Sequence, residues 1–440
     1  VVFVFCAKFI TRFTNRDKLN STNIMKKLLF LTLFGLATAM TYAGGYRVGL
    51  QGQRRLAMGH TGVAVVDNAE LAFFNPAGLV YLEDRINVAV GASAVFSDVV
   101  WQNDEYGQMA RTDSPVGTPF YAYISYRASD WLTLGLAAYT PYGSSVEWPT
   151  DWSGSHLVNN IDLQAIYIQA LASVKISDKL SVGGGPIYVN GSVNFNRNLN
   201  RTLSDIDGNR ANVTVDASGV HAWGWSLGAM YNPTDKLRIG ANYRSEIIVE
   251  AENGDADFNN IPNSPLTPFK DTRFDASLPL PAELSIGASY EISEKWLVAF
   301  DYNRAFWDVY KSLDIDFQDP AIPDSKNPRN YKDANTYRFG AQYIANEMFT
   351  LRAGYYFDES PVQSGYFAPE TPRNDAHGFT AGLSVNITDN LSIDASFLYN
   401  RFKEVEESYD YYMENGQNVP FEGSYKTVAF VPGLGVTFKI

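Results

Sequence analysis

The sequence holds one cysteine, Cys6, and only four histidines in 440 residues. One thiol cannot build a disulfide framework, and no Cys-rich metal motif is possible. Long apolar runs are equally scarce. The one extended run, Leu28 to Ala43, follows Met25-Lys26-Lys27 and ends in small residues. A basic start, an apolar middle and Ala37-Thr38-Ala39 or Thr41-Tyr42-Ala43 describe an export signal, with cleavage expected after Ala43 or Ala39. The rest contains nothing long enough for a bundle of spanning helices. Positive charge is also in deficit, with 35 Lys and Arg against 48 Asp and Glu. The leader carries six basic residues and one acid, so its removal moves the net charge from −13 to −18 and takes away Cys6. Such a chain is poorly suited to nucleic acid. It suits a surface protein with acidic outer loops.

Four segments are expected. Residues 1–24 precede Met25 and read either as an over-extended reading frame or as a genuine extension. Residues 25–43 are the signal peptide, 44–84 a glycine-rich region, and 85–440 a long β-domain. Aromatics are abundant, with 27 Tyr, 27 Phe and 8 Trp.

From about Arg85 the pattern has period two. Leu391, Ile393, Ala395, Phe397 and Tyr399 alternate with Ser392, Asp394, Ser396, Leu398 and Asn400. Side chains alternate faces along a strand, so such segments have one apolar face and one polar or tiny face. The connections are lopsided. Short polar turns fall at 128–130, 177–179, 234–236, 293–295, 346–347 and 388–390. Long polar loops are expected near 98–117, 141–160, 197–218, 253–278, 318–333, 359–375 and 404–422. Seven loops and six turns imply fourteen strands. The fold class is therefore all-β: a 14-stranded antiparallel transmembrane β-barrel with short periplasmic turns. A closed barrel satisfies every backbone group in lipid, which an open sheet cannot do. Tyr and Trp near strand ends fit aromatic girdles.

With the apolar face toward lipid, Arg238, Arg244, Arg338, Arg352, Asp301 and Asp394 point inward. Most of these arginines are expected to pair with the acids or with residues 44–84. Arg338, mid-strand, is the first candidate to meet a carboxylate ligand through two donors. Gly183-Gly184-Gly185-Pro186 lacks the Lys-Ser/Thr of a phosphate loop; its glycines would let another backbone come close. Asp205 to Asn209 lacks EF-hand spacing and reads as a turn.

Residues 44–84 do not alternate. They hold seven glycines and the run Phe73-Phe74-Asn75-Pro76-Ala77-Gly78. Fourteen strands enclose a lumen wide enough to need a plug if it must not leak. Leu56 to Leu79, LAMGHTGVAVVDNAELAFFNPAGL, resembles the N-terminal hatch of the FadL/TodX family of outer-membrane transporters. The matching positions are Gly59, Gly62, Ala64, Asp67, Asn75, Pro76, Ala77 and Gly78. Pro141-Tyr142-Gly143, Asp151 to Gly154, Lys175 to Gly185 and Gly423 to Lys426 with Ala429 follow the family's order. After the Trp-x-Gly, Ser155 stands where the family usually has Arg.

The resemblance implies a passive channel for long-chain fatty acids or other hydrophobic small molecules in the outer membrane of a Gram-negative bacterium. It implies a hatch shaped by Asn75, Pro76, Ala77 and Gly78. Phe73, Phe74, Arg338 and Arg244 become candidates to line the ligand path, and Pro141 and Gly143 to mark a lateral opening at a kinked third strand, although Pro141 could equally mark that strand's end. It implies contact with outer-membrane lipid, a chain working alone, and no cofactor or metal. The rivals are a general porin, a structural or adhesive barrel, and an outer-membrane enzyme. Against the enzyme, the chain has no HExxH, and His221 and His377 read as rim residues.

Overall fold

The computed structural model describes residues 46–264, 267–414 and 416–440. The expected signal peptide, residues 1–24, Gly44 and Gly45 lie outside the described residues.

Fourteen antiparallel strands form a ring. They are β1 (Ile86–Ser93, continued by Phe96–Asn103), β2 (Phe120–Ser129), β3 (Leu132–Glu147), β4 (Asn160–Lys175), β5 (Leu180–Asn198), β6 (Asn212–Tyr231) and β7 (Leu237–Arg244, continued by Ile247–Asn259). Then come β8 (Thr272–Leu280, continued by Glu283–Ser293), β9 (Trp296–Ala305), β10 (Ala334–Ile344), β11 (Phe349–Asp358), β12 (Ala376–Thr388), β13 (Leu391–Phe402) and β14 (Phe421–Lys439). The last strand closes on the first, with Asn87 opposite Lys439 and Ser93 opposite Gly433. Every strand thus has two neighbours, and the ring closes.

The alternation read in the sequence is the inside–outside alternation of the wall. On β13, Ser392, Asp394, Ser396 and Leu398 are buried, while Phe397 faces out. Leu136, Ile168, Leu227, Phe339, Leu351 and Leu434 are likewise exposed on the outer face. This apolar band would be costly in water and is favourable against lipid.

Several strands run further than expected. Residues 253–259 belong to β7, and β3 continues to Glu147. The outward side chains of upper β7, such as Asp255 and Asp257, are polar and exposed. A wall that rises beyond the hydrocarbon needs no apolar outer face, so its sequence looks like loop.

Residues 46–82 form helix α1 (Gln53–Ala57), helix α2 (Leu71–Phe74) and a 3-10 turn (Pro76–Tyr81). Asn75 caps that turn: its Oδ1 accepts from Ala77 N at 3.2 Å, and Pro76 takes the first position, where a missing N–H is harmless. The Asn75 Nδ2 donates to Val63 O at 2.9 Å and to Ala229 O of β6 at 3.0 Å. The segment's other partners lie all round the ring. Asp301 of β9 accepts from Gly62 N and Val63 N (2.7 and 3.1 Å), Thr380 of β12 accepts from Gly59 N (2.8 Å), and Ser181 of β5 donates to Ala77 O (2.7 Å).

Glycines on the inner wall make this packing possible. A Cβ on Gly183 would lie 2.7 Å from Ala77 N; one on Gly240, 2.5 Å from Val63 O; one on Gly354, 2.1 Å from Gly59 N. Each site seats backbone against backbone, which is the role read for Gly183.

Candidate ligand chamber

Beyond this segment, toward the long loops, the inner faces of β4 to β8 enclose an apolar cavity of about 90 Å³. Ile161, Leu163, Val193, Phe195, Val215 and Phe274 line it, with Leu313 and Ile315 of the 306–333 loop. A dry apolar cavity of roughly 150 Å³ takes benzene, so this one needs only small adjustments to seat a ring or a stretch of alkyl chain.

Tyr46 and Tyr142 form one side of it. They belong to a row of buried tyrosines, Tyr121, Tyr123, Tyr139, Tyr167, Tyr142 and Tyr46, with neighbouring centroids 5.2 to 6.1 Å apart. Tyr46 and Tyr142 turn their rings to the cavity, and most hydroxyls of the row meet polar partners. Tyr142 Oη donates to Glu283 at 3.0 Å, and Tyr139 Oη to Gln169 at 2.9 Å. Trp131, Trp223, Trp225, Trp296 and Tyr290 are exposed on the outer face, as girdles require; Tyr121, Tyr123, Tyr139, Tyr142 and Tyr167 point inward because their positions on β2, β3 and β4 share parity with buried neighbours.

Two smaller cavities, about 60 and 30 Å³, share Arg47, Val48, Gly49, His60 and Arg338. The smaller also touches Phe73, Phe74, Arg244 and Pro141. All four ligand-lining candidates therefore meet in one place. Asn75, Pro76, Ala77 and Gly78 do not reach it; they fix the segment from below.

The arginines divide. Arg244 donates to Phe73 O (3.1 Å), lies over the Phe73 ring (4.3 Å) and is 3.6 Å from Glu283. Arg238 pairs with Glu291 at 2.6 Å. Arg352 donates to Gln342 at 2.8 Å and lies 3.8 Å from Asp67. Asp394 is met by Arg54 at 3.0 Å. These are structural ties. Asp301 differs from expectation: it accepts backbone N–H groups rather than an arginine. Arg338 has no hydrogen bond or ion pair among the described residues, yet it lines both small cavities.

Arg47 was missed in the sequence. Its guanidinium spans four strands, donating to Glu283 (3.3 Å), Asn303 (2.6 Å), Thr336 (3.0 Å) and Asp358 (3.1 Å). Its signal was an arginine in an otherwise small-residue stretch beside Gly44-Gly45. His60 is held neutral, its pKa pushed well below the usual value by burial and by the nearby Arg338 and Arg47.

Burial opposes ionisation of Asp67, but Arg55, Arg54 and Arg352 outweigh it and hold its carboxyl at about 2. A depressed carboxyl stabilises the folded form above its ordinary pKa, and that contribution is lost as pH falls through the folded value. Residues 46–82 should therefore stay protected from hydrogen exchange down to about pH 4 and lose protection toward pH 2. Asp67→Asn should flatten that dependence; an unchanged profile would remove Asp67 from the account.

Pro141 is not the end of β3. It sits in a bulge, where Tyr139 opposes Tyr167 and Tyr142 opposes Ala165. Pairing with β2 stops at Tyr139–Tyr121. Beyond it β3 turns to the N-terminal segment: Val48 N donates to Pro141 O and Gly143 N to Tyr46 O, both at 2.7 Å.

Residues 34–440 match the family described as outer membrane protein transport protein (OMPP1/FadL/TodX). The chain belongs to this family. Outer membrane protein P1 of Haemophilus influenzae strain Rd is 24% identical over 84% of this chain and 90% of that protein. The long-chain fatty acid transport protein of Escherichia coli strain CFT073 is 22% identical, over 88% of this chain and 94% of that one. Among solved structures, a Pseudomonas aeruginosa FadL homologue superposes with a TM-score of 0.77 at 18% identity, covering 90% of this chain and all of that one. The Pseudomonas putida toluene transporter TodX gives 0.70 at 19%, covering 92% and 99%. The FadL/TodX proteins are outer-membrane transporters of hydrophobic compounds, so this chain is a Gram-negative outer-membrane barrel and not an enzyme.

Proposed function

We propose that this FadL/TodX member is a passive channel for long-chain fatty acids or neutral hydrocarbons, working as a single chain. Ligand gathers among the outer loops, enters the apolar cavity, and leaves sideways at the β3 bulge, while residues 46–82 act as a hatch. The observation that carries this reading is the apolar cavity set beside a lumen-packed segment and an unpaired Arg338. The names of the relatives bracket the ligand: a fatty acid in one, toluene in another. The packed segment speaks against a general porin, which would need an open lumen.

The lateral exit rests on the missing β2–β3 ladder beyond Tyr139. Two β3 residues, Thr140 and Pro141, face one on β4, Ile166, so deleting Pro141 restores a regular register. In cells lacking their own fatty-acid transporter, the wild-type chain should import labelled oleate, toluene or both. The Pro141 deletion, at matched surface levels, should fall to the empty-vector rate. Undiminished uptake by the deletion would refute the lateral route; no uptake by the wild type would refute the channel.

A further inference from the structure

The outer face of β11 to β14 and β1 carries a chemistry that transport does not use. The registers place Tyr355, Phe379, Tyr399, Phe430 and Phe96 in one row across five strands. The next row toward the long loops is Phe357, His377, Arg401, Val428 and Asp98. Above that, Lys403 and Lys426 lie level with each other, between the pairs Arg401–Val428 and Val405–Tyr425. A groove of about 420 Å³ runs here, lined by Phe357, Phe379, Arg401, Lys403 and Lys426.

Outward aromatic rows mark the boundary between hydrocarbon and headgroups. The three cations therefore stand at headgroup level, where a lipid-facing charge costs little. Like charges facing each other across strands repel. Among the described residues, Arg401, Lys403 and Lys426 have no ion pair to relieve this. Two acids, Asp375 and Glu404, also line the groove, so its cations outnumber its acids by one; Asp375 already accepts from Ser360 N at 2.9 Å. Asp98 is taken by Arg111 at 2.6 and 2.7 Å. Elsewhere the same rim is acidic, with Asp216, Glu250, Glu252, Asp255 and Asp257 exposed on β6 and β7. A basic groove above an aromatic row, on a chain of net charge −13, is thus a local exception.

We propose that this groove binds a phosphorylated glycolipid of the outer leaflet. Its phosphate would sit among Arg401, Lys403 and Lys426, and its acyl chains would lie over Phe379 and Phe430. Phosphate oxygens accept charge-assisted bonds from all three side chains, and the long stems lie along the aromatic surface beneath.

Native mass spectrometry of the purified barrel in detergent tests this with an acylated, bisphosphorylated glucosamine disaccharide. The expected result is one retained lipid per chain, and no retention of the same disaccharide stripped of phosphate. The triple variant Arg401→Ala/Lys403→Ala/Lys426→Ala should bind on the order of 100-fold more weakly. The charge-preserving Arg401→Lys/Lys403→Arg/Lys426→Arg should retain it, which separates lost charge from lost folding. Equal binding by the alanine variant, equal binding of the dephosphorylated lipid, or full competition by inorganic phosphate at equal concentration would each overturn the proposal.

Discussion

Gly354→Val is expected to turn a closed barrel into an ion-conducting one. Gly354 lies on the inner face of β11, and a Cβ there would sit 2.1 Å from Gly59 N and 2.3 Å from Met58 C. Both are backbone atoms, which cannot rotate away as a flexible side chain would. The neighbouring seats are equally tight: a Cβ on Gly340 would meet Met58 O at 2.3 Å, and one on Gly382 the Ala57 Cβ at 2.4 Å. Residues 57–59 therefore have nowhere to shift. Valine itself favours a strand, so the β11 ladder with Gly340 and Thr380 should hold. What is lost is the segment's seat, and with it the buried bonds from Gly59 N and Gly62 N, whose unmade groups cost about 1–3 kcal/mol each. Planar-bilayer recordings should show porin-like steps in the variant and a quiet trace in the parent. Ala353→Val, on the outward face one residue away, should stay quiet. A silent Gly354→Val barrel would mean that this segment is not what closes the lumen.

Arg338→Ala should separate acids from hydrocarbons. Arg338 stands in the charged chamber with no partner of its own among the described residues, opposite Asp301 on β9 and Tyr356 on β11. Asp301, Glu283 and Asp358 act on its guanidinium only at a distance, and a half-buried guanidinium without a directly bonded anion is costly. A ligand carboxylate reaching it would make a charge-assisted, two-donor contact. Such contacts are worth about 1.5–3 kcal/mol, or roughly 10- to 150-fold in affinity. Oleate binding should weaken by that factor in Arg338→Ala, and toluene binding should not change. Arg338→Lys should fall between, since a point charge lacks the planar fork. Equal loss for both ligands would make Arg338 a structural residue. Arg244 offers the contrast: tied to Phe73 and Glu283, its removal should disturb both ligands alike.

The wall was legible in the sequence because its physics is local. A strand between lipid and a small-residue lumen must alternate, and Leu391 to Phe402 does so without interruption. The tight turns were legible because each joins neighbouring strands directly. The upper wall was not, since Glu252, Asp255 and Asp257 stand above lipid and resemble loop. The inward tyrosines were not, because abundant aromatics in a barrel suggest girdles, and only parity against neighbouring strands separates Tyr123 from Tyr126. Arg47 could not be placed, since its four partners are 236 to 311 residues away. In the sequence Pro141 reads equally as a strand end or a kink. Its carbonyl pairs with Val48, a contact that no local pattern announces. Ser155, where the family usually has Arg, is buried in the outer loops and its carbonyl accepts from Asn198 N at 2.8 Å, so it takes a structural place there.

The central claim is that hydrophobic ligand passes through the apolar cavity between β4 and β8. Ala251 is small, buried and on its wall. Ala251→Trp would fill about 90 Å³ of free space without adding charge. The most direct measurement is uptake of labelled oleate and toluene by cells carrying this variant, at surface levels matched to the parent. Whichever ligand the parent imports should fall to the empty-vector rate, with the barrel still folded and still closed to ions. Parental uptake through the filled cavity would contradict it.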